Sequence, residues 1–141
     1  GIPVTHREVN SALAFITGHD ASGLVPDSVD WGSLSRGAPV LVIYMALKHI
    51  EPIVERLLAA GRSPGEPIAV VSKATTVEQK VLESTLGKVV ADVAGAGIEP
   101  PAMVVVGEAV RLRAGLDWLG ALSGKRLIAD PLGQKKRSES A

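Results

Sequence analysis

The residues best placed to bind a ligand follow two apolar runs of the chain. Met45 ends a continuous apolar run over residues 39–45, and Ala74 and Thr75 follow a second run over residues 67–72. The length and β-branched content of both runs predict buried strands. Open α/β sheets bind ligands beyond the carboxyl ends of their strands. We therefore predict that the turns after the two runs together form one wall of a crevice.

Both positions also have an ordinary structural interpretation. A methionine at the end of a strand often fills an irregular gap in the core. Ala74 and Thr75 are compatible with a simple turn between two elements. On residue types alone, these interpretations are the more common ones.

The histidines do not predict a metal site. His6, His19 and His49 are far apart in the chain, no two share a helix face, and zinc sites usually need more ligands. We interpret His19 and His49 as surface or capping residues. The chain has no cysteine, which excludes disulfides, thiolate metal sites and cysteine nucleophiles. No Gly-x-Ser-x-Gly motif indicates a serine hydrolase.

The composition is typical of one compact domain without nucleic-acid or membrane partners. Hydrophobic residues make up 46% of the 141 residues and aromatic residues only 3%, so the core must be aliphatic. Lys plus Arg and Asp plus Glu each total 15, and nucleic-acid binders usually carry a basic excess. No apolar run approaches the roughly 20 residues of a membrane span, and no signal peptide is evident. The lack of cysteine is compatible with the cytoplasm, where we expect the protein to act.

The spacing of apolar residues changes between period two and helical period along the chain. Strands are predicted over residues 11–17, 39–45, 67–72, 79–85 and 103–106, and helices over residues 47–58, 88–94 and 108–119, with one helical turn at 31–34. Pro52 must lie in the first turn of its helix, Gly61 should end that helix, and the last helix should be broken near Gly115. The strand, helix and strand over residues 39–72 predict a parallel crossover unit.

These elements predict an α/β fold with a mixed, largely buried sheet of about five strands and flanking helices. Residues 1–122 form this domain. Residues 123–141 form a polar C-terminal tail that we expect to be flexible. Since Gly1 is not an initiator methionine, we expect the chain to be an excised part of a longer protein.

Five segments resemble one known family in their order and spacing. They are Gly-Ile-Pro-Val-Thr-His-Arg at residues 1–7, Thr-Gly-His at 17–19, Val-Ile-Tyr-Met-Ala at 42–46, Pro-Ile-Ala-Val with the later Ala-Thr and Gln at 67–79, and Met-Val-Val-Val-Gly-Glu-Ala-Val at 103–110. Each segment is unspecific by itself. Together they resemble the C-terminal half of the tetrapyrrole methylases over residues 1–122. The first segment is similar to the branch of that family that methylates uroporphyrinogen III.

The resemblance implies a cofactor and a set of residues that contact it. Tetrapyrrole methylases have two α/β lobes with S-adenosylmethionine in the cleft between them, and this chain corresponds to the second lobe. The resemblance implies that Met45, Ala74, Thr75 and Ala102 contact the cofactor and that no metal is needed. It further implies methylation of uroporphyrinogen III to precorrin-2 by a homodimer, for which the missing N-terminal lobe is required. An isolated lobe should be inactive.

His6 and Arg7 are candidate substrate-binding residues under the same resemblance. The tetrapyrrole carries many carboxylates, which an arginine guanidinium binds in bidentate fashion. A histidine can hold or transfer a proton near neutral pH. The pair could equally fix the linker between two lobes through hydrogen bonds to the backbone, and both interpretations stay open.

Two other functions remain as alternatives. The first is a methyltransferase of the same family that acts on another precorrin or on diphthamide. The second is a non-catalytic module that dimerises or binds a partner through its aliphatic surface.

Overall fold

The computed structural model describes residues 1–133, which fold around one five-stranded sheet. The strands are β1 (Leu13–Thr17), β2 (Val40–Tyr44), β3 (Pro67–Ser72), β4 (Lys80–Thr85) and β5 (Ala102–Val106). The helices are α1 (Trp31–Gly37), α2 (Ile50–Ala59), α3 (Val89–Ala96), α4 (Arg113–Leu116) and α5 (Trp118–Leu122), with 3₁₀ segments at Leu47–His49 and Glu108–Leu112. This arrangement confirms the predicted α/β fold with a mixed sheet.

The strand order β1-β2-β5-β3-β4 places the last strand in the middle of the sheet. β1 and β2 run parallel, whereas β5 is antiparallel to both β2 and β3. β2 and β3 therefore point the same way, as the predicted crossover requires, but β5 lies between them. The carboxyl ends of β2 and β3 and the amino end of β5 consequently meet at one edge of the sheet.

One face of the sheet carries the larger core. Alternate residues of the central strands, such as Leu41, Val70 and Val104, pack against helices α1, α2 and α3. The apolar stripe of α2 supplies the largest part of the helical layer. Its buried residues are Ile50, Ile53, Val54 and Leu57.

The opposite face is covered over only part of its length. Val42, Ala69 and Val105 form a small second cluster with the 3₁₀ segment Glu108–Leu112 and with the residues before β1. Further along the same face, Phe15 and Tyr44 remain exposed, and their rings stack with centroids 6.1 Å apart. The uncovered part of this face therefore lies toward the carboxyl ends of β1 and β2.

The helix after β2 follows the sequence prediction closely. Its first three residues, Leu47–His49, form a 3₁₀ turn, and α2 begins at Ile50. Pro52 lies in the first turn of α2, where its missing N–H costs no helical hydrogen bond. Gly61 follows the helix with φ of 94°, a left-handed value that favours glycine.

The predicted break near Gly115 is confirmed. The chain leaves helical geometry at Asp117, between α4 and α5. Gly115 lies inside α4, where a Cβ atom would come 2.6 Å from the Ile128 carbonyl oxygen and 2.8 Å from Cγ of Pro131. The glycine thus permits close packing of the segment that follows α5.

The first part of the predicted tail contacts the domain. The Ile128 amide donates to the carbonyl of Ala114 at 2.9 Å, and Lys125 forms an ion pair with Asp117. Residues 134–141, which complete that tail, lie outside the described residues, so its flexibility stays a prediction. Within residues 1–133, no helix is both long and apolar enough to cross a membrane.

Asp117 joins these C-terminal elements through a buried carboxylate. The residue is 5% exposed and pairs with Arg113 at 2.9 Å and Lys125 at 2.7 Å. The same carboxylate accepts from the Gly120 amide at 3.1 Å and caps α5. The hydrogen bond from Lys125, together with the Gly120 amide and the Arg113 charge, lowers the pKa of Asp117 against the opposing effect of burial.

We expect Asp117→Asn to lower the free energy of unfolding at pH 7 by about 1 to 3 kcal/mol, because it removes the charge that Arg113 and Lys125 face. The pKa of Asp117 is lower in the folded than in the unfolded state. Its contribution is therefore complete above the unfolded pKa of about 3.9 and is lost as pH falls through the folded pKa. Urea denaturation at pH 7 and near pH 3 measures both effects.

Asp27→Asn is the matched control. The Asp27 side chain is 94% exposed and pairs with Arg56 at the surface, so its loss should change stability by less than about 0.5 kcal/mol. Equal effects of the two substitutions at pH 7 would contradict the structural role of Asp117.

Candidate functional site

A cavity of about 580 Å³ opens at the edge where β2, β3 and β5 meet. Met45, Ala74 and Ala102 all line it, although they are far apart in the chain. The other lining residues are His19, Tyr44, Leu47, Lys48, Val71, Pro100, Pro101 and Met103. The structure therefore brings three of the four candidate cofactor contacts into one crevice.

The register of the sheet accounts for this convergence. Tyr44 pairs with Met103, and Met103 also pairs with Val71 on the other side of β5. Ser72 pairs with Ala102 at the end of the same ladder. Because β5 is a single strand between them, the turns after β2 and β3 lie about two strand spacings apart, roughly 10 Å. That separation suits a flat ligand of nucleoside size.

Met45 adopts a backbone conformation that residues other than glycine rarely use. Its φ is 53°, in the left-handed region, which costs free energy unless neighbouring contacts hold it. The Gly18 amide donates to the Tyr44 carbonyl at 2.7 Å, and His19 Nδ1 donates to the Met45 carbonyl at 3.3 Å. The next residue, Ala46, is fully buried. These contacts fix the turn and leave the Met45 side chain half exposed at the cavity.

Gly18 allows the β1 end to approach this turn. A Cβ atom on Gly18 would lie 2.7 Å from Cα of Ala46 and 2.9 Å from the Tyr44 carbonyl oxygen. Both neighbours are backbone atoms, which cannot move aside without shifting the turn. The glycine of the Thr-Gly-His segment is therefore required by packing around Met45.

The turn after β3 is tied to the start of β5. The Lys73 amide donates to the Pro101 carbonyl at 2.8 Å, and Pro100 and Pro101 are joined by a cis peptide bond. Lys73 also has a left-handed φ, of 46°. Its ammonium group pairs with Glu99 at 2.9 Å, and this hydrogen bond raises the pKa of Lys73. These links hold the Ala74 and Ala102 walls of the cavity together.

Thr75 does not line the cavity. Its φ is 69°, and its amide donates to Oε1 of Gln79 at 2.7 Å. The Gln79 side chain therefore already accepts the hydrogen bond that the Thr75 amide could otherwise donate to a ligand. A cofactor contact of Thr75 stays a prediction without support from its position.

His6 and Arg7 lie away from this cavity. His6 forms a short bridge with Asn10 and lines a separate cavity of about 440 Å³ with residues such as Leu116 and Ile128. Arg7 is exposed in the turn between His6 and Asn10. The structure does not bring either residue together with Met45, and their substrate contacts stay predictions.

Sequence reasoning missed several residues of the cavity. His19 was interpreted as a surface or capping residue; it does bond to the Met45 carbonyl, but it also lines the cavity, and its ring lies 5.8 Å from the ring of His49. Lys48 is the one lysine or arginine among the lining residues. The signal for both was their place just after the strands β1 and β2, where ligands of α/β sheets bind.

The lining chemistry suits binding and orientation of a ligand. Aliphatic and methionine side chains form most of the surface, and none of the described lining residues is an aspartate or glutamate. Within residues 1–133, no group of three or more His, Asp or Glu side chains is placed to hold a metal ion. The cavity thus offers apolar walls and backbone groups, with one cationic side chain at its edge.

Comparison with known proteins identifies the family. The protein-family model described as "Tetrapyrrole (Corrin/Porphyrin) Methylases" matches residues 1–90. The chain belongs to the tetrapyrrole methylase family. It is 62% identical to a uroporphyrinogen-III C-methyltransferase from Sinorhizobium sp, over 96% of this chain and 48% of that protein. It is also 40% identical to a siroheme synthase from Acinetobacter baylyi, over 84% of this chain and 26% of that protein.

Solved structures of tetrapyrrole methylases share the fold. A uroporphyrin-III C-methyltransferase from Thermus thermophilus, complexed with S-adenosylhomocysteine, superposes with a TM-score of 0.69 at 31% identity. The match covers 79% of this chain and 48% of that one. The chain therefore spans about half the length, or less, of the relatives it matches.

We expect Gly18→Ala to lower the free energy of unfolding by about 1 to 3 kcal/mol, since the added methyl group overlaps backbone atoms of the Met45 turn. Urea denaturation measures the loss. The NMR signal of the Met45 methyl group should shift at the same time, because the turn must move.

Gly95→Ala provides the comparison. Gly95 is inside α3, no atom other than those of its chain neighbours and the nearby helix backbone lies within 4 Å of an added Cβ, and alanine favours helix by about 1 kcal/mol. This variant should be as stable as the wild type or more so. A Gly18→Ala protein with wild-type stability and an unchanged Met45 signal would contradict the packing of this turn.

Proposed function

We propose that the longer protein transfers methyl groups from S-adenosylmethionine to uroporphyrinogen III, giving precorrin-2, and that this chain forms one wall of the cofactor cleft. The observation that carries the proposal is the convergence of Met45, Ala74 and Ala102 on one apolar cavity. The relative at 62% identity, a uroporphyrinogen-III C-methyltransferase, supports the choice of substrate. The Thermus thermophilus structure with S-adenosylhomocysteine supports the choice of cofactor.

The cavity fits the chemical groups of this cofactor. A volume of about 580 Å³ lies within the range of small-molecule sites. The apolar surfaces of Ala102 and Met103 suit the faces of an adenine ring, and the small Ala74 allows close approach of the ribose to the β3 turn. Lys48 can attract the amino-acid carboxylate of the cofactor at the open edge.

The residues of this chain contribute position and exclusion of water. Bound S-adenosylmethionine supplies an electrophilic methyl group on a sulfonium. Hydrogen bonds already fix the conformation of the Met45 turn, so the turn can position the cofactor without rearranging. This lowers the free-energy cost of aligning the cofactor with an attacking carbon. The aliphatic walls keep water from the reacting groups. No aspartate or glutamate is among the described lining residues, and we propose that the remainder of the protein or the substrate carboxylates accept the ring proton.

His6 and Arg7 complete the proposal as substrate contacts outside the cavity. Arg7 presents an exposed guanidinium, the group that binds carboxylates best. We further propose that the full-length protein acts in the cytoplasm as a homodimer, in agreement with the exposed aliphatic surface and the lack of cysteine.

The full-length protein should transfer radiolabelled methyl groups to uroporphyrinogen III, while the 141-residue chain should transfer little or none, because it supplies only part of the cleft. Another precorrin and a diphthamide precursor serve as competing acceptors in the same assay. Transfer to one of these acceptors but not to uroporphyrinogen III would contradict the proposal that uroporphyrinogen III is the substrate. Full turnover by the 141-residue chain would overturn the role of a second lobe.

Ala74→Leu in the full-length protein should weaken binding of S-adenosylhomocysteine by at least about tenfold, because a bulky side chain occupies the space beside the β3 turn. Isothermal titration calorimetry measures the dissociation constant directly. Thermal unfolding without ligand should be nearly unchanged, since Ala74 is exposed.

Ala91→Leu is the control for the added volume. Ala91 is exposed on α3 and lines none of the described cavities, so this variant should bind as the wild type does. If Ala74→Leu binds S-adenosylhomocysteine with wild-type affinity, Ala74 is not part of the cofactor wall.

A further inference from the structure

The segment over residues 99–102 leads into β5 and forms one wall of the cofactor cavity. Pro100, Pro101 and Ala102 all line that cavity. The first two of these residues precede the sheet, since β5 begins only at Ala102. The position of the segment relative to the turn after β3 therefore sets the width of the crevice between them.

Two prolines limit how this segment can be held in place. Proline has no backbone N–H, so Pro100 and Pro101 offer only carbonyl oxygens to a neighbouring strand. The regular ladder of the sheet cannot continue through both residues. Hydrogen bonds that fix this part of the segment therefore need donors from outside it.

The end of β3 supplies two such donors. Oγ of Ser72 donates to the Glu99 carbonyl, and the Lys73 amide donates to the Pro101 carbonyl at 2.8 Å. Ser72 is also the last residue of β3 in register with β5, where it pairs with Ala102. The Ser72 hydroxyl thus extends the connection between the two strands beyond the last pair of the ladder.

The hydroxyl of Ser72 is the stronger of the two side-chain links at this point. Lys73 adds an ion pair with Glu99 at 2.9 Å, but the two side chains are 26% and 67% exposed. Exposed ion pairs contribute little, because water and salt screen them. Ser72 is only 1% exposed, so water competes little for its hydrogen bond.

We propose that Ser72 is a positioning residue for the adenosyl group of the cofactor. Its hydroxyl holds the segment 99–102 at the distance from the β3 turn that the nucleoside requires. Ser72 is not among the residues that line the cofactor cavity, so it acts through the segment that it holds. This inference rests on the proposed function, because it takes the cavity to be the site of S-adenosylmethionine.

Ser72→Ala in the full-length protein tests this role, since it keeps every lining residue but releases the Glu99 carbonyl. The dissociation constant of S-adenosylhomocysteine should rise about fivefold, the effect of one neutral hydrogen bond. That of methylthioadenosine, which carries the same adenosyl group without the amino acid, should rise by the same factor. Isothermal titration calorimetry measures both constants.

Steady-state kinetics separate positioning from a purely structural role. The KM for S-adenosylmethionine should rise by a similar factor at unchanged kcat, because the lost interaction binds ground state and transition state alike. If Ser72 only stabilised the fold, its loss would lower the amount of active protein and leave KM and both dissociation constants unchanged. That result would contradict the proposal.

Two variants separate the hydrogen bond from other effects. Ser72→Cys nearly keeps the side-chain volume but has only a weak donor, so it should weaken binding as alanine does. Ser84→Ala removes a β4 hydroxyl that bonds to Asp92, and Ser84 lines none of the described cavities, so this control should bind as the wild type does.

The outcomes distinguish this inference from the proposed function. A wild-type protein that does not bind S-adenosylhomocysteine would overturn both. If the wild type binds, then wild-type affinity in Ser72→Ala or in Ser72→Cys would refute the role of the hydroxyl and leave the proposed cofactor site in place. An equal loss of affinity in Ser84→Ala would refute it as well.

Discussion

The placement of β5 between β2 and β3 is the constraint on which the rest of the site depends. A parallel pair joined by a helix usually lies side by side, but here the last strand of the sheet enters between them in the opposite direction. The carboxyl ends of β2 and β3 are thereby separated by one strand, and the amino end of β5 forms the floor between their turns. Hydrogen bonds at this edge then hold Met45 and Lys73 in left-handed conformations that neither residue would adopt alone.

The two faces of the sheet serve different purposes. One face is buried under α1, α2 and α3 and stabilises the domain. The other is covered near the amino ends of β2 and β3 and is open near their carboxyl ends, where Phe15 and Tyr44 are exposed next to Met45. The apolar cavity thus continues into an uncovered apolar surface, which is the arrangement expected where a further part of the protein closes over a ligand.

Local sequence patterns predicted most elements of the fold, because the patterns and the structure share the same cause. The aliphatic runs of β2 and β3 are buried on both faces, and the helical spacing after Met45, with Pro52 and Gly61 at its ends, follows from helix geometry. The strand ends also predicted Met45 and Ala74 as neighbours. That prediction needed only the parallel direction of β2 and β3, which the crossover already implied.

The details that the sequence did not predict depend on contacts between distant residues. No local pattern places β5 in the centre of the sheet, and no glycine marks the left-handed backbone at Met45. The close contact of Gly18 with the Met45 turn is likewise visible only in the folded chain. The helix break near Gly115 was predicted, but the packing of Ile128 and Pro131 against this glycine was not.

A crystal structure of the full-length protein with S-adenosylhomocysteine tests the central claim most directly. The account predicts the adenosyl group between the turns after β2 and β3, with atoms within about 4 Å of Met45, Ala74 and Ala102. A cofactor bound elsewhere, with Met45 and Ala74 both out of contact with it, would contradict the proposed cofactor wall.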